Sequence, residues 1–350
     1  ADHLLKDAGV EVDGLSLDDM SRVIKERGIK SPNGNELSEV RTFNMMFKTT
    51  VGPVANDDSI SYLRPETAQG IFTNYKNIVD SFYPNLPFGV AQQGKAFRNE
   101  ISPRDFIFRS REFEQMEIEY FVDPSHWEES FEHWRQQVWR WTQALGLADE
   151  AVHELEVPEN DRAHYSKRTI DFEFDFPIGR EELLGLAYRT DFDLMNIQNK
   201  SGKSMDYTIK GTNTKFVPHV IEPSFGVERA VMAVLSSAYT EDEINGESRV
   251  VLKLPAHLAP VKVAISPLVR NKPELVERAR EIYERFKKAH GAVMWDDNGN
   301  IGKRYRRQDE IGTPYCVVVD FQTLEDGTVT VRDRDTTEQR RLSVDDVLSL

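Results

Sequence analysis

The chain has one cysteine, Cys316, among 350 residues. A lone thiol excludes an intrachain disulfide framework and a cysteine-based zinc site, so no zinc is expected, and it suits a reducing cytosol. Long apolar runs are lacking as well. None approaches the roughly 18–20 residues that a membrane helix requires, and the N-terminus has no apolar stretch of the signal-peptide kind. A cytoplasmic protein without a membrane partner is the expectation. An excess of positive charge is also missing: 44 Lys and Arg stand against 59 Asp and Glu, a net charge of −15 that excludes a general nucleic-acid binder. The imbalance is uneven. From Ala259 onward the two signs are equal at 16 each, so the whole acidic excess lies in the first 258 residues. Any RNA partner must then be met by local patches. The candidates are Arg98, Arg104, Arg109 and Arg111, and the run Lys303, Arg304, Tyr305, Arg306, Arg307.

What is present allows two or three domains with a sizeable core. Residues 1–40 are polar and read as an appended segment with little core of its own, with a helix predicted over 17–27 and a Ser-Pro-Asn-Gly-Asn turn at 31–35. Residues 41–254 mix strands and helices. Segments 89–100 and 112–122 read as two long strands joined by a loop, a connection that favours an antiparallel pair. Segment 126–146 reads as a helix whose Trp127, Trp134, Trp139 and Trp141 suit a core or an interface. A turn-rich break at 254–260 precedes residues 259–350, where strands alternate with helices and predict a small α/β domain. The expected class is α+β: an antiparallel β-sheet flanked by helices, followed by that smaller domain.

Side chains alternate across a strand. Arg98 and Glu100 are therefore expected on one face of the first strand, and Arg109, Arg111, Phe113, Gln115, Glu117 and Glu119 on one face of the second. Met116, Ile118 and Tyr120, on the opposite face, suit a core. The polar set offers a guanidinium fork for phosphate, a ring that can stack on a base, and carboxylates for an ammonium or a metal. The competing reading is a solvated, salt-bridged sheet face. Residues 217–221 read as a strand, and Glu222-Pro223-Ser224-Phe225-Gly226 as a turn into an apolar helix with Arg229 in its first turn. A cation there opposes the helix dipole, and an anionic ligand removes the conflict. In Tyr62-Leu63-Arg64-Pro65-Glu66-Thr67-Ala68-Gln69-Gly70, Pro65 fits the first helical position. Glu66 is then either favourable dipole charge or a ligand for a substrate amine.

Phe97-Arg98-Asn99-Glu100, a loop, and Arg109-Ser110-Arg111-Glu112-Phe113 resemble motif 2 of the class II aminoacyl-tRNA synthetases, and Gly226-Val227-Glu228-Arg229 opening an apolar helix resembles their motif 3. The longer strings at 62–70, 98–104, 113–119, 189–194 and 222–226 look like the dimeric glycyl type, and 300–320 looks like its anticodon-binding domain. The resemblance runs from about residue 41 to the end. It implies glycine, ATP with Mg²⁺, and tRNA(Gly) as ligands, and a homodimer. Arg98 would hold the ATP α-phosphate, Glu100 would orient ATP or the acceptor end of the tRNA, and Arg229 would bind the γ-phosphate. Asn99, Phe108, Arg109, Arg111, Phe113, Glu182, Leu183 and Gly226 would complete the ATP site, with Phe113 on the adenine and Glu182 near the Mg²⁺. Glu66, Phe113, Gln115, Glu117, Glu222, Ser224 and Gly226 would surround glycine. Lys303, Arg304, Arg306 and Arg307 would meet tRNA phosphates.

Glycine presents only its ammonium as a handle, so acidic residues should crowd it, and alanine must be excluded by space alone, which calls for no editing domain. Two departures stand out. Leu184 replaces a second acidic residue before Gly185, and the motif 1 segment that builds the family's dimer interface has no counterpart, the residues from Ala1 to Leu5 resembling the stretch just after it. Non-catalytic relatives on this fold typically lose the arginines and carboxylates that are all present here. Enzymes of the class for threonine, proline or histidine lack the acidic strings.

Overall fold

The computed structural model describes residues 4–5, 8–10, 15–41, 43–54, 56–244 and 246–349. Most of the N-terminal stretch that resembles the segment after motif 1 therefore lies outside the described residues. Helix α1 (Leu17–Glu26) starts where Ser16 accepts from the Asp19 amide, with Asp18 and Asp19 at the positive end of the dipole. Ile24 of this helix is buried against Leu5, with Met20, Val23, Ile29 and Leu37 packed around them. The N-terminal segment thus has a small core where the sequence promised almost none. A short antiparallel ladder joins β1 (Lys48–Thr50) to β2 (Ile60–Tyr62). Two compact units divide the chain: Ala1–Pro65 with Phe97–Ser102, and Glu66–Ala96 with Pro103–Leu350.

In the second unit α2 (Ala68–Phe82) buries Ala68, Ile71, Phe72 and Tyr75, an apolar stripe at helical spacing. The chain continues through β3 (Phe88–Phe97), β4 (Glu112–Val122), α3 (Trp127–Ala144), β5 (Val152–Glu156), β6 (Arg168–Phe176), β7 (Gly179–Thr190) and α4 (Phe192–Ser201). A two-rung ladder, β8 (Tyr207–Thr208) with β9 (Lys215–Phe216), precedes β10 (His219–Gly226), α5 (Val227–Ala238) and the hairpin β11 (Tyr239–Ile244) and β12 (Glu247–Leu252). Six of these strands form one sheet in the order β3-β4-β10-β7-β6-β5. The ladders between β4, β10, β7, β6 and β5 are antiparallel. Strand β3 also runs against β4, since Gly89 lies beside Ile118 and Tyr120 while Lys95 pairs with Glu112.

The first predicted strand ends earlier than expected, at Phe97. Arg98 and Glu100 lie beyond it, so strand alternation does not place them on a common face. Both faces of β4 are covered. Helices α3 and α5 pack on one side, where the four expected tryptophans and partly buried Met116 and Tyr120 join Phe131, Val138, Leu184, Ile221 and Phe225. On the other side Phe121 and Val220 pack under Phe72 and Tyr75 of α2. The polar face is the more deeply buried of the two, with Gln115 at 5%, Glu117 at 2% and Glu119 at 0% exposure. The predicted turn at 222–226 is also corrected: β10 runs on to Gly226. Proline donates no hydrogen bond. The ladder to β4 lapses at Glu222 and Pro223 and resumes at Ser224, while the other edge still pairs Pro223 with Leu186.

The C-terminal part builds β13 (Val263–Pro267), α6 (Pro273–His290), β14 (Val293–Trp295), α7 (Ile301–Ile311), β15 (Tyr315–Val319), α8 (Phe321–Asp326), β16 (Thr328–Asp333), β17 (Gln339–Ser343) and α9 (Val344–Leu348). Its five-stranded sheet has the order β14-β13-β15-β16-β17. The first three strands are parallel and the last two antiparallel. Leu275, Ala279, Ile282 and Phe286 of α6 are buried on it. Cys316 is a buried free thiol in β15, and burial pushes its pKa up to about 12.

This sheet is tied to the β11–β12 hairpin by ionic contacts. Asp309 of α7 is fully buried and accepts from Arg332 at 2.7 and 3.0 Å and from Arg249 of β12 at 3.3 Å. Arg249 also grips Asp242 and donates to the Arg334 carbonyl, and Arg334 in turn donates to the carbonyls of Leu254 and Gly312. Removing one partner of a buried pair strands the others. Asp309→Ala is expected to lower unfolding stability by about 3 kcal/mol or more in urea denaturation. Arg278→Ala, whose Glu281 pairing is exposed on α6, is expected to change it by less than about 0.5 kcal/mol.

Candidate active site

Residues directly opposite on antiparallel strands share a face. Ser224 lies opposite Glu117 and Gly226 opposite Gln115, and the same register carried through the lapse in the ladder sets Glu222 opposite Glu119. The polar positions of β4 and β10 therefore form consecutive rungs, roofed by the start of α2. Glu117 anchors them. One of its oxygens accepts from the Thr67 amide at 2.8 Å and from the Thr67 hydroxyl. The other accepts from Gln115 Nε2 at 2.7 Å and Ser224 Oγ at 3.1 Å. Glu66, one residue before Thr67, accepts from Gln69 Nε2.

A β-bulge in β7, opposite the Val220–Ile221 step of β10, redirects Arg189. Its guanidinium is buried and donates to Glu222 at 2.8 Å and to both oxygens of Asp193 at 2.8 and 2.9 Å. It also lies over the Tyr165 ring at 3.8 Å and the Phe72 ring at 5.2 Å. Burial opposes its charge, but Glu222 and Asp193 outweigh that and hold its pKa above the usual arginine range. Burial, with Glu222 adding to it, pushes the Tyr165 phenol up to about 12. Glu119 receives no hydrogen bond from any described donor. Burial and the facing Glu222 hold its carboxyl well above the ordinary range. Burial raises Glu222 as well, with Arg189 pulling the other way.

A second cluster lies around α5. Arg229, in its first turn as expected, sits over the Phe108 ring at 4.3 Å, donates to the Glu182 carbonyl at 2.9 Å and pairs with the Glu182 carboxylate at 3.0 Å. Gly226 is the N-cap of α5, and Glu228 accepts from the Glu114 amide. Asp171 of β6 is pushed up to about 6, by burial first and then by Glu182 and Glu173, with Arg229 opposing. The ladder between β6 and β7 slips at Glu173 and Glu182, so Leu183 and Leu184 are both buried in the core. This accounts for Leu184, since an acidic side chain there would be buried without a partner. Among the described residues no group of three or more His, Cys, Asp or Glu is placed to hold a metal by itself.

Phe108 is a core residue packed edge-on to Phe176, and Phe113 is half-buried at the start of β4. Arg109 closes a tight loop by pairing with Arg104, with Asp105 and Phe106 in the left-handed region, and Arg111 precedes β4 at the surface. Arg98, Asn99 and Glu100 belong to the first unit, where Arg98 Nε donates to the Pro65 carbonyl at 3.2 Å and the Asn99 amide to the Met45 carbonyl at 2.6 Å.

The basic run in α7 is corrected. Arg304 is buried and donates to the carbonyls of Pro267, Asp297 and Gly299. Arg307 clamps Asp296, and Arg306 lies 3.6 Å from Glu247, which leaves Lys303 as the exposed cation of the four. Sequence reasoning set Glu119 on the polar face without giving it a role of its own, and passed over Arg189, Thr67, Tyr165 and Asp171 as site residues. A charged residue inside an apolar strand signals Arg189, and alternation places Glu119, but nothing local marks Tyr165.

Residues 47–238 match the tRNA synthetase class II core domain (G, H, P, S and T), and residues 262–350 match the anticodon binding domain. These matches and the antiparallel sheet define a class II aminoacyl-tRNA synthetase. A prolyl-tRNA synthetase of Giardia lamblia, solved in complex with prolyl-adenylate, shares the fold at a TM-score of 0.65 and 19% identity, over 87% of this chain and 60% of that one. The glycine–tRNA ligase of Deinococcus radiodurans is 47% identical over 99% of this chain and 78% of its own length. That of Thermus thermophilus is 51% identical over 88% of this chain and 66% of its own length, just under two thirds. The chain belongs to the glycine–tRNA ligases.

Removing Arg189 would leave Glu222 and Asp193 without their shared cation. Arg189→Ala is expected to cost about 3–5 kcal/mol in denaturant unfolding. Arg189→Lys should recover only part of that loss, because an ammonium cannot span two carboxylates as a planar fork does.

Proposed function

We propose that the chain activates glycine with ATP and transfers it to the 3′ end of tRNA(Gly), with the acidic rungs of β4 and β10 as the glycine pocket. The observation that carries this is the burial of Glu117, Glu119 and Glu222 around a single arginine, a site built for a small cation and not for an apolar side chain. A glycine ammonium is attracted there by Glu222 and by Glu66 at the rim. Glu117 contributes charge while its oxygens fix Thr67, Gln115 and Ser224 in the walls.

The first step joins a glycine carboxylate oxygen to the α-phosphorus of ATP as the bond to pyrophosphate breaks. The carboxylate is already ionised, so no general base is needed, and catalysis rests on positioning and charge stabilisation. Arg98 holds the α-phosphate, Glu100 orients the nucleotide or the acceptor end, and Phe113 stacks on the adenine. Arg229, supported by Phe108, exchanges its Glu182 partner for the γ-phosphate. The carboxylate of Glu182 suits Mg²⁺, which binds through one or two carboxylates and substrate phosphates and supplies charge neutralisation. A ribose hydroxyl of the tRNA then attacks the glycyl carbonyl, and AMP leaves. The C-terminal domain meets the tRNA, with Lys303 its exposed contact in α7. A homodimer in the cytoplasm completes the reading. Among the described residues no helix is long and apolar enough to cross a membrane.

ATP–pyrophosphate exchange tests this directly. Glycine is expected to drive exchange, and alanine or proline far less. Exchange with glycine no faster than without an amino acid overturns the reading. Arg229→Ala is expected to slow exchange by about a hundredfold while the thermal transition is kept. An unchanged rate would remove Arg229 from the phosphate site.

A further inference from the structure

The Glu119–Glu222 rung is not explained by glycine binding alone. Like charges directly opposite on neighbouring strands repel, and in a buried position the repulsion is screened far less than at the surface. Glu119 is fully buried, and neither of its oxygens has a described hydrogen-bond donor. What faces it is the carboxyl of Glu222, whose Oε2 is taken by Arg189. Native interiors do not leave two carboxylate oxygens empty-handed when a proton can be shared, because an unpartnered buried acceptor costs more than the proton does.

The charges acting on Glu119 are Glu222 on β10, Glu117 on its own strand and Arg189 on β7, and around Glu222 and Arg189 in turn stand Asp193 on α4, Glu66 before α2 and the un-ionised Tyr165 phenol. Arg189 is the one cation among them, and it is bonded to Glu222 and Asp193 and not to Glu119. We propose that Glu119 is a positioning residue kept as the neutral acid, whose O–H donates to Glu222 and holds that carboxylate ionised and oriented toward the glycine ammonium. The pair then carries one negative charge, not two, and Glu222 is clamped between the Glu119 proton and the Arg189 guanidinium. The inference rests on the reading of this face as the glycine pocket.

Glutamine at position 119 keeps a donor of the same length that no pH removes, whereas alanine removes it. Glu119→Ala is expected to raise the KM for glycine in ATP–pyrophosphate exchange by about tenfold or more, with a smaller change in kcat. Glu119→Gln should restore KM to within about threefold of the parent value.

The second readout is stability against pH. A carboxyl that stays protonated in the fold while the unfolded chain ionises binds more protons in the native state. Native stability therefore falls as pH rises from the ordinary glutamate range through the raised one. The thermal midpoint of Glu119→Gln relative to the parent should accordingly climb as pH rises above the ordinary glutamate range. A Gln variant that loses glycine-dependent exchange as completely as the Ala variant while remaining folded overturns the proposal, since Glu119 would then act as an ionised ligand. So does a midpoint difference that is flat with pH. If the parent protein shows no glycine-dependent exchange, the assignment of the pocket fails, and the pH profile alone still decides whether the rung shares a proton.

Discussion

The bonds from Arg189 to Glu222 and Asp193 make the rest of this site tolerable. Three glutamates are buried on adjoining rungs of two central strands, and a fourth stands at the rim. Such a concentration of carboxylates would repel itself apart in a low-dielectric interior without a cation at its centre. The cation is an arginine and not a lysine, for a physical reason. Its planar group bonds Glu222 and Asp193 at once while presenting a face to Tyr165, so it is desolvated with a carboxylate partner for each of its three nitrogens. The bulge in β7 that aims it inward is therefore as much part of the site as the carboxylates.

Around that centre the fold separates positioning from chemistry. Strand register between β4 and β10 sets which carboxylates face each other, and Pro223 interrupts the ladder at the rung where they do. The start of α2 caps these rungs through Thr67, whose amide and hydroxyl both go to Glu117. The start of α5 sets Arg229 over Phe108 and against Glu182, which hold a cation in the first helical turn against the dipole. The acidic rungs lie on β10 itself and Arg229 in the first turn of the helix that follows it, so one strand and its helix carry both clusters.

Much of this was legible in the chain. Alternation along 112–122 predicted the polar face of β4, and Gly226 to Arg229 marked the helix start. The tryptophans of α3 announced their burial. Legibility failed where a residue's meaning depends on its partners. Arg304 sits in a run of cations that looks like an RNA-facing patch, yet it turns inward to three carbonyls. Leu184 looked like a lost acid and is a core side chain, because a slip in the ladder buries two successive leucines. Glu222 to Gly226 carried a proline and a glycine, ordinary turn signals, and proved to be the end of a central strand. Tertiary context overrode local propensity there, since β7 still pairs along the edge that the proline leaves intact.

The sequence by itself determined the class of the fold, the elements that carry the site and the identity of its residue types, because periodicity and charge patterning are local properties of a chain. Which carboxylate keeps a proton, which arginine neutralises the pocket and which arginine is structural were decided only by the tertiary structure. Those outcomes depend on burial and on partners far apart in sequence, such as Arg189 with Glu222 or Thr67 with Glu117, and no local pattern records a distance across a sheet. The polar face of β4 could have been a solvated surface as far as the chain alone could say. Its burial beneath α2 turns the same residues into a site.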